Sequence, residues 1–210
     1  MAVKDELIQI FPTPLVICRY PRSYEKELEW IEKQECQKSS QPGKESFNRQ
    51  SVDTFILDNP ELKKIRTFIE TKLYQFVTKV MLSTDTLAIT QSWVNRSGKG
   101  ESHHGHMHPN SIISGVWYPI IDETLPPIQF QRRDPPQIML QSDKFNNINS
   151  ETYFLPLKAG ELILFPSNLR HSVPANKYDK ERVSLSFNTW PKGSMGSIDR
   201  LTYLPFDRLI

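Results

Sequence analysis

Ser102-His103-His104-Gly105-His106-Met107-His108-Pro109 holds four of the chain's 5 histidines, and the fifth stands alone at His171, ahead of Glu181-Arg182-Val183-Ser184. A tight histidine cluster with one distant partner outlines a metal site, because imidazole suits iron, zinc, copper and nickel alike. Side chains two apart on an extended segment share a face, so His104, His106 and His108 point one way and His103 the other. Any two neighbours of those three could grip one ion. The segment that follows His171 adds a second chemistry: Arg182 and Ser184 share one face of a strand, where a guanidinium and a hydroxyl can both reach a single carboxylate.

Working outward, the chain from Leu87 onward alternates short β-branched and aromatic runs with Gly, Pro and Asn clusters, the pattern of an antiparallel sandwich or barrel. Strands are expected at Leu87 to Val94, Ile112 to Ile120, Ile128 to Gln131, Gln137 to Gln141, Thr152 to Leu157, Glu161 to Phe165 and Arg182 to Thr189. Trp93, Trp117 and Phe187 read as sandwich core. Upstream, Phe11-Pro12-Thr13-Pro14-Leu15-Val16-Ile17 suits an edge strand, since proline is tolerated at strand starts and edges. Tyr24 to Glu32 has helical spacing with Ser23 available as N-cap, and Asn59-Pro60-Glu61 starts a helix that runs to about Met81. That helix carries one apolar stripe, Leu62, Ile65, Ile69, Leu73, Phe76 and Val80, which should pack on a sheet. Ser39 to Ser51 and Asp143 to Ser150 read as polar loops able to frame a cleft.

Composition bounds the function. With 210 residues, 38% hydrophobic and 24% charged, the chain should fold as one domain over 1–210, residues 1–85 carrying helices and 86–210 a β core. A net charge of +2 gives no electrostatic case for nucleic acid, and the Lys63-Lys64 and Arg132-Arg133 pairs read as solvated surface. The 2 cysteines, Cys18 and Cys36, cannot form a disulfide framework. No segment approaches the roughly 20 apolar residues of a membrane span. A cytoplasmic protein is expected; oligomeric state has no sequence signal.

Two longer spacings resemble the paired motifs of the cupin superfamily: Gly100-x5-His106-x-His108 and Gly160-x5-Pro166-x4-His171. That resemblance selects His106, His108 and His171 as ligands, although Ile112-Ile113 stands where the cupin glutamate is expected. With Arg182-x-Ser184 added, the pattern resembles the iron(II)/2-oxoglutarate-dependent dioxygenases. Further segments carry the likeness over nearly the whole chain, among them Phe11-Pro12-Thr13-Pro14, Ser92-Trp93-Val94-Asn95, His106-Met107-His108-Pro109-Asn110-Ser111, Ser114-Gly115-Val116-Trp117-Tyr118 and Gly160-Glu161-Leu162-Ile163-Leu164-Phe165-Pro166-Ser167. Together they resemble a 2-oxoglutarate/Fe(II) oxygenase family of bacteria and phages.

The resemblance implies a mainly β fold with flanking helices (α+β), a double-stranded β-helix of jelly-roll, cupin-like form with N-terminal helices packed on one sheet. It implies Fe(II), 2-oxoglutarate and O2 as cofactor and co-substrates, with ascorbate as a reductant, and hydroxylation of a substrate C–H, a protein or peptide side chain by analogy with prolyl and peptidyl hydroxylases. Arg182 and Ser184 would hold the far carboxylate of 2-oxoglutarate. Tyr118 and Asn95 are further candidates for binding it, or else satisfied core groups. His104 and Asn188 are candidates for the cleft, and His104 is an alternative ligand. One departure stands out: most members of the wider superfamily have Asp or Glu where this chain has His108. Two other readings fit the residues, a three-histidine cupin dioxygenase that dispenses with 2-oxoglutarate and a metal-stabilised jelly-roll binding module.

Overall fold

The computed structural model describes residues 8–38, 48–134 and 140–208. Its strands and helices run, in chain order, β1 (Val16–Arg19), α1 (Glu25–Glu32), β2 (Cys36–Lys38), β3 (Arg49–Ser51), α2 (Lys63–Gln75), β4 (Leu87–Ser97), β5 (His103–His106), β6 (Ile113–Ile120), β7 (Ile128–Gln131), β8 (Thr152–Leu155), β9 (Glu161–Pro166), β10 (His171–Val173) and β11 (Arg182–Pro191). A seven-stranded sheet has the order β1-β9-β6-β11-β4-β3-β2, and a four-stranded sheet the order β5-β10-β7-β8. All pairings within both sheets are antiparallel. From β4 to β11 the chain passes repeatedly between the two sheets, which is the double-stranded β-helix expected from the sequence.

Strand alternation divides the core in two. On β6 and β9, Ile113, Trp117, Leu162 and Leu164 face outward from the sandwich and join Val94, Val183, Leu185 and Phe187 in a cluster with Ile31, Ile65, Ile69, Leu73 and Phe76 of the helical segments. Their neighbours Val116, Tyr118, Ile163 and Phe165 face inward, against Ile128, Phe130 and Leu155 of the smaller sheet. The helices thus cover one face of the large sheet and leave its other face to the cleft. Each large apolar side chain removed from water here contributes about 1.5–3 kcal/mol before entropy is charged against it. Gly115 is needed where the two strands pack closest: a Cβ on it would lie 2.1 Å from the Phe187 ring and 2.9 Å from Leu164.

The local departures from sequence expectation have physical causes. The extended entry segment pairs only from Val16, beyond the amide-free Pro12 and Pro14, and does so at the sheet edge. Helix α1 starts after Tyr24, whose side chain makes no capping bond, so Ser23 lies outside the cap. Asn59 does cap, accepting a hydrogen bond from the Glu61 amide, but the first turn over Pro60–Leu62 is 3-10. At its far end α2 passes into a π-helical turn over Phe76–Val80. That wider turn rotates the apolar stripe, so that Val77 is buried and Val80 is exposed. Pro156 ends β8 at Leu155. The expected strand at Gln137 to Gln141 lies mostly outside the described residues, as does 39–47 of the expected polar loop; the end of that loop is strand β3 instead. Arg132 is more than solvated surface, since it donates to backbone carbonyls of Asn147, Ile148 and Ser150 and ties down the 143–150 loop. Among the described residues no helix is long and apolar enough to cross a membrane.

Candidate metal centre

The smaller sheet builds the centre. His171 opens β10 and pairs on one side with His106 of β5 and on the other with Phe130 of β7. His108 lies just past the end of β5, where its amide donates to the Ser167 carbonyl at 3.0 Å. Residues from three places in the sequence are thereby brought together: one ligand atom each from His106, His108 and His171 lies within 4.8 Å of the others.

The rings are oriented for ligation. The Nδ1 atoms of His106 and His171 sit 2.9 Å from the carbonyl oxygens of His104 and Leu169. A proton on each Nδ1 satisfies that contact and leaves Nε2 with a lone pair, the usual outer hydrogen bond of a metal-binding histidine. Nε2 of His108 and Nε2 of His171 are 3.3 Å apart. Two ligands on one ion, with bonds of about 2.1 Å, stand at about this separation. Burial, and then the unfavourable placing of a second charge beside the His106 ring, lowers His108 to about 3. Burial, then His106 and His108, lower His171 to about 3. Both rings are neutral at physiological pH, as ligation requires. The three-histidine donor set fits a divalent transition ion.

Across the cleft, β11 presents the second group. Arg182 and Ser184 are buried, and the Arg182 guanidinium donates to the Ser184 hydroxyl at 3.3 Å while lying 5.0 Å from the centre of the Tyr118 ring. No carboxylate among the described residues forms an ion pair with Arg182, and its Nε has no hydrogen-bond partner. The buried Tyr118 hydroxyl belongs to the same group, interacting with the Arg182 guanidinium over its ring. Burial pushes the Tyr118 phenol up to about 12 against the opposing Arg182 charge, and burial lowers Arg182 itself. A buried guanidinium without an anionic partner among the described residues, its Nε unpartnered, costs free energy that an incoming carboxylate would recover.

The other sequence candidates are placed as follows. Asn95 is engaged on both sides of its amide, by Asn48 and Ser186. Asn188, half-buried, accepts from the Ser114 hydroxyl at 2.9 Å; that hydroxyl also meets Ser167, whose carbonyl holds the His108 amide. His104 lies beside the centre, its ring 5.1 Å from that of His106. His103 is a correction. Alternation places it on the opposite face, but its ring stacks on His106 at 4.4 Å. Between the pairs His171–His106 and Val173–His103, one residue of β10 faces two of β5, and this bulge turns His103 back to the cluster.

Sequence reading missed the aromatic wall. Trp93 is buried as expected, but it joins neither apolar cluster and sets its ring 5.9 Å from His108. Phe165 and Phe130 pack on His171 at 5.0 and 6.1 Å. The parity of Trp93 with Asn95 on β4 was the available signal.

Residues 91–188 match the family model described as "Putative 2OG-Fe(II) oxygenase". No curated protein matches the chain. Among solved structures, HygX from Streptomyces hygroscopicus, crystallised with nickel, 2-oxoglutarate and hygromycin B, is 11% identical over 86% of this chain and 84% of its own, with a TM-score of 0.60. A Pseudomonas putida prolyl-4-hydroxylase is 12% identical over 86% and 94%, TM-score 0.58. A prolyl hydroxylase from Trichoplax adhaerens, in complex with a hypoxia inducible factor oxygen degradation domain peptide fragment, is 11% identical over 84% and 83%, TM-score 0.58. At such identities the likeness is one of fold.

Proposed function

The chain carries a 2OG-Fe(II) oxygenase domain over residues 91–188, and from that premise we propose that His106, His108 and His171 hold its iron while Arg182, Ser184 and Tyr118 hold 2-oxoglutarate. The observation that carries the reading is the buried Arg182: a guanidinium without an acidic partner among the described residues, beside the inward-facing ring of Tyr118, while three imidazoles converge on the smaller sheet. When bound, Fe(II) and 2-oxoglutarate use O2 to hydroxylate a substrate C–H, with release of succinate and carbon dioxide. The chain's own residues orient and shield. The carbonyls of His104 and Leu169 fix two imidazoles with Nε2 inward. Arg182 pairs with the far carboxylate, Ser184 turns its hydroxyl to the same group, and the Tyr118 O–H donates to it. Trp93, Phe130 and Phe165 keep water from the imidazoles. Asn95 serves the scaffold in this reading, since its amide is already engaged.

The substrate we propose is a protein or peptide side chain. Support comes from the fold likeness to two prolyl hydroxylases, one of them in complex with a peptide fragment. The test of the site is an anaerobic titration of Fe(II)-loaded protein with 2-oxoglutarate, read by the weak visible charge-transfer band of the chelate. The band should appear in wild type, vanish in His171→Ala and weaken in Arg182→Ala. No band in wild type overturns the reading in favour of a cupin dioxygenase in which Arg182 binds the substrate's own carboxylate.

A further inference from the structure

The bulge in β5 assembles more histidine than one iron needs. Besides the inner triad, His103, His104 and His106 each offer a ring nitrogen within 4.8 Å of the other two. Their rings form a closed group, with centroids 4.4 Å apart for His103–His106, 5.2 Å for His103–His104 and 5.1 Å for His104–His106. All three residues are half-buried, with both ring nitrogens of His104 turned away from solvent. Without the register shift against β10 the ring of His103 would lie on the other side of the sheet, and no third ligand would be present. Gly105 keeps the bulged segment close to its neighbour, because a Cβ there would lie 3.0 Å from the Arg170 guanidinium.

We propose that His103, His104 and His106 form a second, outer site for a late divalent transition ion, and that this site and the inner triad are occupied alternately because both need His106. The proposal rests on reading His106, His108 and His171 as the iron site. The donor set selects the ion: three imidazoles and no carboxylate suit Zn(II), Cu(II), Ni(II) and Co(II), and not Mg(II) or Ca(II). His106 faces both groups and has one lone pair to give while its Nδ1 is held by the His104 carbonyl. An ion in the outer site therefore takes a ligand from the iron. The consequence is a built-in competition, in which a zinc-rich medium holds the chain in an iron-poor state.

The experiment uses Co(II), whose visible ligand-field absorption reports a nitrogen-rich, low-coordinate site, on the full chain. The double variant His108→Gln/His171→Gln removes the inner triad and leaves the outer one whole. It should still bind one equivalent of Co(II), and adding His103→Gln or His104→Gln should weaken binding by roughly tenfold or more. Wild type should bind one equivalent in total. The outer site is refuted if the folded double variant binds no Co(II), or binds it equally well without His103 and His104. Two equivalents in wild type refute the sharing of His106. Should the double variant not fold, His171→Gln alone serves: zinc must then shift the imidazole nitrogen resonances of His103 and His104, and shifts confined to His106 and His108 overturn the proposal. Failure of the charge-transfer titration in wild type would strike the iron reading and leave this result standing.

Discussion

Replacing Arg182 by Met should stabilise the metal-free, ligand-free protein while crippling its hold on 2-oxoglutarate. The side chain is 3% exposed and has no anionic partner among the described residues. What it does have is one bond to Ser184 at 3.3 Å and a place 5.0 Å from the Tyr118 ring, worth together about 1–3 kcal/mol. Against this stands the desolvation of a buried cation, several kcal/mol, and exchanges of buried ionic groups for apolar ones of similar volume are neutral to about 4 kcal/mol stabilising. The net for Arg182→Met is between zero and about +2 kcal/mol, a rise in Tm of up to about 8 °C at 2–4 °C per kcal/mol for a chain of this size. Loss of a buried, charge-assisted bond to the far carboxylate costs about 2–4 kcal/mol, roughly 30- to 1000-fold in 2-oxoglutarate affinity. Thermal melts in chelator measure the first quantity and the anaerobic charge-transfer titration the second. A variant that melts lower than wild type in chelator yet binds 2-oxoglutarate normally would refute the reasoning, because Arg182 would then be a scaffold residue whose charge is satisfied within the fold.

Three other outcomes follow from the geometry. In chelator, stability should fall as pH drops from about 6.5 toward 3: His108 and His171 are depressed to about 3 from an ordinary 6.5, so each contributes stability present above the unfolded value and lost below it, by up to about 1.4 kcal/mol per pH unit. Urea melts across that range should show a shallower fall in His171→Gln, and identical slopes would contradict the assignment. Gly115→Ala should cost about 1–3 kcal/mol or more in urea denaturation, because the new methyl meets a fully buried Phe187 with no room to move; an unchanged midpoint would mean that β6 and β11 can separate. His108→Asp should keep one metal equivalent by dialysis but bind 2-oxoglutarate more weakly than wild type, since an anionic ligand reduces the charge that attracts the dianion; tighter binding would reverse that logic.

The large sheet and the helices were legible because burial there follows simple periods. The α2 stripe Leu62, Ile65, Ile69, Leu73 and Phe76 is buried as its spacing requires, and β4, β6, β9 and β11 begin and end near the expected residues. The convergence of His106, His108 and His171 was legible through the likeness of two spacings to the cupin motifs, and the nearness of Arg182 and Ser184 through strand parity. What alternation could not convey were its interruptions. The β5 bulge inverts His103, and the π turn after Gln75 exchanges Val77 for Val80; both depend on one residue of register, which tertiary pairing sets. Strands of three or four residues, such as β2, β3 and β10, are too short to show a period at all. Trp93 is buried as expected, but its contact with His108 was not legible, because a buried aromatic on a β-strand reads the same whether it packs on apolar side chains or on imidazoles.

His108 changes the charge balance of the proposed centre, and that balance explains why an unpaired Arg182 is tolerated. Three neutral imidazoles leave a bound Fe(II) with its full double charge, and Arg182 adds a third positive charge in the same desolvated cleft. Repulsion between them weakens metal binding in the absence of a counter-ion. In the proposed site a dicarboxylate would reverse this with one molecule: with one carboxylate on the metal and the other on Arg182, the net charge would fall from +3 to +1. In a centre with Asp or Glu in place of His108 the same step runs from +2 to zero, so less is gained from each dianion bound. Iron and 2-oxoglutarate should therefore bind with stronger positive coupling here than in a carboxylate-containing triad, and by linkage each raises the affinity for the other by the same factor. On this account the cost of burying the Arg182 charge without an anion is recovered when the co-substrate arrives, and metal retention should itself rise with 2-oxoglutarate concentration.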